Sequence, residues 1–187
     1  MSVKSTIDRR DATPEALAHV RVDVGGFGTL WLAFSSEGLC EVTLPGGVEP
    51  APARVGAVNA SMVSEACVLL ENYFAGQRVD FSAIRLDLRG TEFQRRVWAE
   101  LQTIPHGAVA TYKSIAAAIG RPRGGRAVGM ANARNPIPII VPCHRVVETG
   151  RTLGGFSGGV ELKRKLLALE GVAVDGERVL PGQLELL

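Results

Sequence analysis

Cysteine is scarce in this chain of 187 residues, with three in all, at Cys40, Cys67 and Cys143. An odd number with wide gaps excludes a closed disulfide framework and fits reduced thiols in a reducing compartment. Cys40, Cys67 and His19 form no recognisable ligand set, so no metal is expected. Long apolar runs are also missing: nothing approaches the roughly 20 residues that span a bilayer, and residues 1–12 carry charges where a signal peptide needs an apolar stretch. A cytoplasmic protein without membrane attachment is expected, nucleoid-associated if bacterial. The apolar share of 46% and charged share of 21% exclude a disordered chain. The length suits one compact domain or two small ones of roughly 80 to 90 residues.

A net charge of +2 hides an uneven distribution. From Arg89 to Gly171 there are 13 basic against 5 acidic residues, a balance of +8, whereas the rest of the chain balances at −6. The basic half is the candidate binder of a polyanion, although a solvated basic surface would look the same.

Alternation in Val20, Val22 and Val24, again in residues 29–34, and the apolar run 39–44 closed by Pro45-Gly46-Gly47 predict an antiparallel meander. The Pro/Gly/Ala stretch to Gly56 reads as loop. From Asn59 the spacing becomes helical, with Met62, Ala66, Leu69, Leu70 and Tyr73 on one stripe and Gly76 as the stop. That helix would cover one face of the sheet. Residues 81–90 form the boundary between an N-terminal domain over 1–80 and a C-terminal domain over 91–171, with 172–187 as a tail.

Thr91-x-x-Gln94 is a capping box that opens a helix to about Gln102, its stripe made of Phe93, Val97, Trp98 and Leu101. A second helix starts at Thr111 and stops at Gly120, and a third, basic one runs from about Gly125 to Arg134. Two short helices joined by a glycine-containing turn have the outline of a helix-turn-helix, a weak signal alone. Behind them Asn135-Pro136 breaks the helix, residues 137–141 form a buried apolar run, and the chain delivers Pro142-Cys143-His144-Arg145. A thiol near its reference pKa of roughly 8.5 is mostly protonated at neutral pH and needs a base. His144 is adjacent, and an imidazole held by a third group can take the proton directly or through one water. Glu170, in the last turn of an amphipathic helix from Val160 whose Leu162, Leu166 and Leu169 face inward, is the candidate third group. An inert core thiol and an ordinary surface carboxylate are the competing reading.

Residues 135–147, Asn-Pro-Ile-Pro-Ile-Ile-Val-Pro-Cys-His-Arg-Val-Val, resemble the active-site signature of the O6-alkylguanine-DNA alkyltransferases, also called methylated-DNA-protein-cysteine methyltransferases. The resemblance extends from Gly90 through Gly171, including residues 90–94, Thr111-Tyr112, 126–129 and 154–159; the first half is similar only in size and plan. It implies a ribonuclease-H-like N-terminal α/β domain with an antiparallel sheet plus helix, then a mostly α-helical C-terminal domain with a helix-turn-helix. It also implies that Cys143 accepts the alkyl group, His144 is its base and Glu170 the orienting carboxylate. Asn135 would tie the helix pair to the active-site turn, and Arg126 would fill the gap left when the damaged nucleotide rotates out, since the alkyl carbon of a paired guanine is beyond a thiolate's reach. Tyr112 would help that rotation and give a proton to the departing base. Ala127, Gly129, Lys113 and Arg134 are implied DNA contacts. Pro138, Val146, Gly154, Phe156, Ser157, Gly158 and Lys163 are implied pocket residues, Lys163 from a helix face that is usually solvated.

Phe156 departs from the family pattern, standing where many relatives have tyrosine; stacking is kept and a hydroxyl lost. The presence of Cys143 argues against alkyltransferase-like proteins with tryptophan there, which bind lesions without transfer. The expected activity is single-turnover repair of double-stranded DNA containing O6-alkylguanine, by a monomer that could act cooperatively, without a cofactor. A DNA-binding regulator that senses alkylation or oxidation at Cys143 is the alternative; a cysteine hydrolase would leave the basic surface without purpose.

Overall fold

The computed structural model describes residues 17–50, 58–181 and 184–186. Residues 1–12 and the end of the expected loop, from 51 to Gly56, lie outside them. The chain opens with three antiparallel strands, β1 (Ala18–Asp23), β2 (Thr29–Phe34) and β3 (Leu39–Thr43), in the order β1-β2-β3. Their register pairs Val22 with Leu30 and Leu32 with Val42, so the alternating apolar positions share one buried face. Helix α1 (Ala60–Phe74) begins where Asn59 accepts a hydrogen bond from the Ser61 amide at 2.9 Å. It buries Ala66, Leu70 and Tyr73 in the same core as the sheet.

The segment between the two halves docks on the first sheet. Leu39 donates to Arg85 O and accepts from Asp87 N, bridging β3 to Leu86, while Ile84 is buried. Gly38 permits this, since a Cβ there would sit 2.4 Å from Arg85 O.

The second half is an N-terminal sheet's helical companion with a small sheet of its own. Helix α2 (Glu92–Gln102) carries the foreseen box, Thr91 with Gln94, and buries Val97, Trp98 and Leu101. Strand β4 (Ala108–Thr111) leads into α3 (Tyr112–Ala118), capped by a second reciprocal box between Thr111 and Ser114; α4 (Gly125–Ala133) follows after a short connection. Trp98 Nε1 donates to Ala131 O at 2.9 Å and Arg96 to Ile119 O at 2.6 Å, so α2 clamps both helices. Then come β5 (Val146–Val147), α5 (Val160–Leu169), the hairpin β6 (Val174–Asp175) and β7 (Arg178–Val179), and β8 (Leu184–Leu186). Strand β4 is central, parallel to both β5 and β8.

The C-terminal half is mostly helical, as expected, and carries short strands besides, which the sequence did not reveal because Ala-Val-Ala-Thr is too short to display alternation and finds its partners far along the chain. Two other expectations change. Residues 172–187 are more than a tail: Val172 and Val179 are buried in a second small cluster, and β8 completes the sheet. The inward face of α5 is Lys163, Leu166 and Leu167, with Leu162 and Leu169 only partly covered, so Lys163 is wholly buried instead of solvated. One apolar cluster runs from the first sheet through α1 and α2 to Val141 and Cys143. Among the described residues no helix is long and apolar enough to cross a membrane.

Gly38→Ala is expected to lower stability by about 1–3 kcal/mol through overpacking against the docked segment. Calorimetry checks it; an unchanged thermal midpoint would contradict so close an approach.

Candidate active site

The turn that carries the thiol is built by one asparagine. Asn135 Nδ2 donates to Val141 O at 2.7 Å, and its Oδ1 accepts from Ile137 N at 3.0 Å, closing residues 135–141 into a loop. The loop is strained: Ile139 sits at φ 77°, a left-handed conformation that a β-branched residue rarely adopts. Val42 N donates to Pro136 O at 2.8 Å, fastening this loop to the first sheet. Beyond Pro142 a single 3-10 turn holds Cys143, His144 and Arg145, all buried.

Their side chains meet Glu170, which caps α5 and is 5% exposed. His144 Nε2 lies 2.9 Å from Glu170 Oε1, and Arg145 grips both carboxylate oxygens, Nε to Oε2 and Nη2 to Oε1, each at 2.9 Å. Arg145 Nη1 also donates to Ile104 O at 2.6 Å. Gly107 N donates to Oε2 at 3.3 Å, and the Tyr73 hydroxyl, arriving from α1, donates to Oε1 at 2.7 Å. With Nε2 donating to the carboxylate, His144 Nδ1 is left as an acceptor, and it has no hydrogen-bond partner among the described residues.

Burial and pairing set the charges. Burial pushes the Cys143 thiol up to about 11, while a hydrogen bond from Asn135 and the charge of Lys163 pull the other way. The resting sulfur is therefore a neutral thiol. Burial lowers His144 below its ordinary 6.5 despite Glu170, so the imidazole is neutral. Burial opposes charge on Glu170, yet its hydrogen bonds with His144 and Arg145 and the Arg145 guanidinium hold its carboxyl well below the usual range. Lys163 is drawn down to about 8 by burial; its Nζ donates to Val146 O at 2.6 Å and to Leu153 O, so a cation is satisfied by two carbonyls below the site.

Although Cys143 is only 2% exposed, it forms part of the wall of a cavity of about 280 Å³ bounded by Tyr112, Gly129, Asn132, Ala133, Gly155, Phe156 and Ser157. The sulfur is thus enclosed but reachable. Of the expected pocket residues, Tyr112, Phe156 and Ser157 line this cavity. Pro138 and Gly158 line a neighbouring one of about 560 Å³ that also touches Ser157; Val146, Gly154 and Lys163 line neither. Arg126, Ala127, Lys113 and Arg134 are exposed on α3, α4 and its C-cap, and Gly129 faces the Tyr112 ring. Two residues at the carboxylate were not foreseen. Arg145 was visible beside His144 but a buried arginine was not, and Tyr73 among leucines and alanines reads as packing.

The pH dependence of stability has a definite sign. His144 and Glu170 both bind protons less readily folded than unfolded, so stability falls as pH drops through 6.5 and again through 4.5, their ordinary values. The thermal midpoint is expected to decline from pH 7.5 to 4, and Glu170→Gln to flatten the lower part of that decline. A midpoint that rises on acidification would overturn the charge assignment.

Family models match both halves of the chain: "6-O-methylguanine DNA methyltransferase, ribonuclease-like domain" over residues 26–88 and "6-O-methylguanine DNA methyltransferase, DNA binding domain" over residues 92–172. The methylated-DNA--protein-cysteine methyltransferase of Mycolicibacterium paratuberculosis is 52% identical over 120 residues, 64% of this chain and 72% of its own. That of Methanosarcina acetivorans is 45% identical over 145 residues, 77% of this chain and 92% of its own. The crystal structure of Mycobacterium tuberculosis OGT in complex with DNA superposes with a TM-score of 0.70 at 41% identity, covering 80% of this chain and 90% of that one. Since models of a single family match the two halves in order, and relatives align over most of their own length, this chain belongs to the 6-O-methylguanine DNA methyltransferase family.

Proposed function

We propose that this protein repairs DNA by direct reversal, transferring the alkyl group of O6-alkylguanine irreversibly to Cys143, once per molecule. The observation that carries this is a thiol on the wall of a small cavity, one residue from an imidazole whose outer nitrogen is tied to a buried carboxylate and whose inner nitrogen is free to accept. A volume of about 280 Å³ is near the lower end of small-molecule sites, which suits one extruded base.

The step balances without a co-reactant. The thiol proton passes to His144 Nδ1, directly or through one water, and Glu170 stabilises the imidazolium that forms. Sulfur attacks the alkyl carbon, a C–S bond forms, and the C–O6 bond breaks with its electron pair passing to the base. Tyr112, on the cavity wall, gives a proton to the departing guanine, and the imidazolium's proton restores the phenol through solvent. The thioether resists hydrolysis, so the protein is consumed.

DNA is taken to lie against α3 and α4, read as a helix-turn-helix with α4 as the recognition helix. Arg126, exposed near the start of α4, fills the vacated place in the base stack, while Lys113 and Arg134 meet phosphates as Ala127 and Gly129 allow close approach. The first sheet with α1 is read as the ribonuclease-H-like domain, in keeping with the ribonuclease-like model that matches there.

Intact-mass measurement after incubation with O6-methylguanine duplex is expected to show one added methyl group, absent in Cys143→Ala, which still binds the duplex. Transfer by that variant would overturn the nucleophile assignment, and binding without lesion loss in the wild type would favour a regulator. Arg126→Ala is expected to slow repair roughly tenfold, the effect of about 1.4 kcal/mol on the barrier, with little change in binding to undamaged DNA. Equal loss of both would leave it an ordinary phosphate contact.

A further inference from the structure

We propose that Tyr73 is a positioning residue for the transfer: its hydroxyl, delivered by the N-terminal helix α1, fixes the Glu170 oxygen to which His144 donates. This rests on the repair reading of Cys143, His144 and Glu170 and adds a residue from the other half of the chain.

Arg145 holds the plane of the Glu170 carboxylate through both oxygens. It does not choose the direction from which the imidazole approaches. Around Oε1 the Tyr73 hydroxyl at 2.7 Å and His144 Nε2 at 2.9 Å stand side by side, themselves 3.4 Å apart. The phenol therefore occupies the flank into which the imidazole would otherwise swing. Its own place is rigid. The ring is 1% exposed and meets Phe74 at 5.2 Å, Phe81 at 5.6 Å and His106 at 6.3 Å between centroids.

A buried hydroxyl that donates to a carboxylate keeps its proton, and burial with Glu170 beside it holds the Tyr73 pKa well above the ordinary value. Tyr73 is thus a permanent donor. The ionised carboxylate only accepts, so it calls for an N–H at His144 Nε2 and leaves Nδ1 unprotonated for the thiol; the phenol, seated beside that N–H on Oε1, fixes where on the oxygen it lands and so the direction in which Nδ1 points. An aromatic ring without the hydroxyl would fill the core equally well but leave the imidazole free to turn about that hydrogen bond.

The test uses the full chain, wild type and Tyr73→Phe, with O6-methylguanine duplex. Three quantities are read: the single-turnover methyl-transfer rate at saturating duplex, the Kd for undamaged duplex, and the His144 ring-nitrogen signals in protein labelled with 15N-histidine. The wild type is expected to show the Nε2–H tautomer. In Tyr73→Phe the rate is expected to fall about tenfold with Kd within about twofold, and the His144 ring-nitrogen signals to shift while the Nε2–H tautomer is kept; tenfold is the size of one weakened hydrogen bond to a charged group. Unshifted His144 signals or an unchanged rate in the variant overturns the proposal. Should the variant not fold, the wild-type proton spectrum decides, a slowly exchanging Tyr73 hydroxyl proton with a cross-peak to His144 Nε2–H supporting it and no such cross-peak overturning it. A wild-type protein that gains no methyl group overturns the repair reading itself, and this proposal with it.

Discussion

A carboxylate shut away from water is tolerable only when its charge is answered on all sides, and the Glu170 carboxylate is the point where this protein meets that demand. Five hydrogen bonds converge on its two oxygens, from Tyr73, Gly107, His144 and twice from Arg145. The donors come from α1, from the loop before β4 and from the turn after Pro142, so satisfying one charge fixes three parts of the chain relative to the end of α5. The same convergence leaves one imidazole nitrogen aimed away from the carboxylate and unsatisfied, which is what a base needs.

Around that point the protein stores a thiol in its neutral form. Burial favours the protonated sulfur, and the nearby positive charge of Lys163, which pulls the other way, is held by two backbone carbonyls. In the proposed reaction, ionisation is thus deferred until an extruded base occupies the cavity. That arrangement also limits side reactions, because reagents in solution react with thiolates far faster than with thiols. The turn that leads to the sulfur carries the strain of Ile139 in the left-handed region, held by the two hydrogen bonds of Asn135.

Much of this was legible in the residues. The meander, α1, the capping box at Thr91 and the start at Thr111 follow from local rules, because caps and alternation involve residues a few positions apart. The cluster Cys143, His144 and Glu170 could be named because a nucleophile, a base and a carboxylate have recognisable chemistry, whereas the role of Asn135 came only from the family resemblance, the Asn-Pro pair by itself reading as a helix breaker. What stayed hidden depends on distant partners. Strand β4 has no pattern of its own until β5 and β8 flank it. Lys163 occupies the i position of a buried i, i+3, i+4 face, but a lysine there reads as surface until carbonyls are found to receive it. Tyr73 and Arg145 gain their meaning only from Glu170, far away in sequence.

The parallel pairing of β4 bears on how the molecule comes together in time. The first sheet closes through short turns between neighbours, so it can form early, whereas β4 must wait for β5 and then for β8, after long loops have been closed. Since β4 runs straight into Tyr112, the side of the cavity that carries this ring is in place only once those long-range pairings have formed.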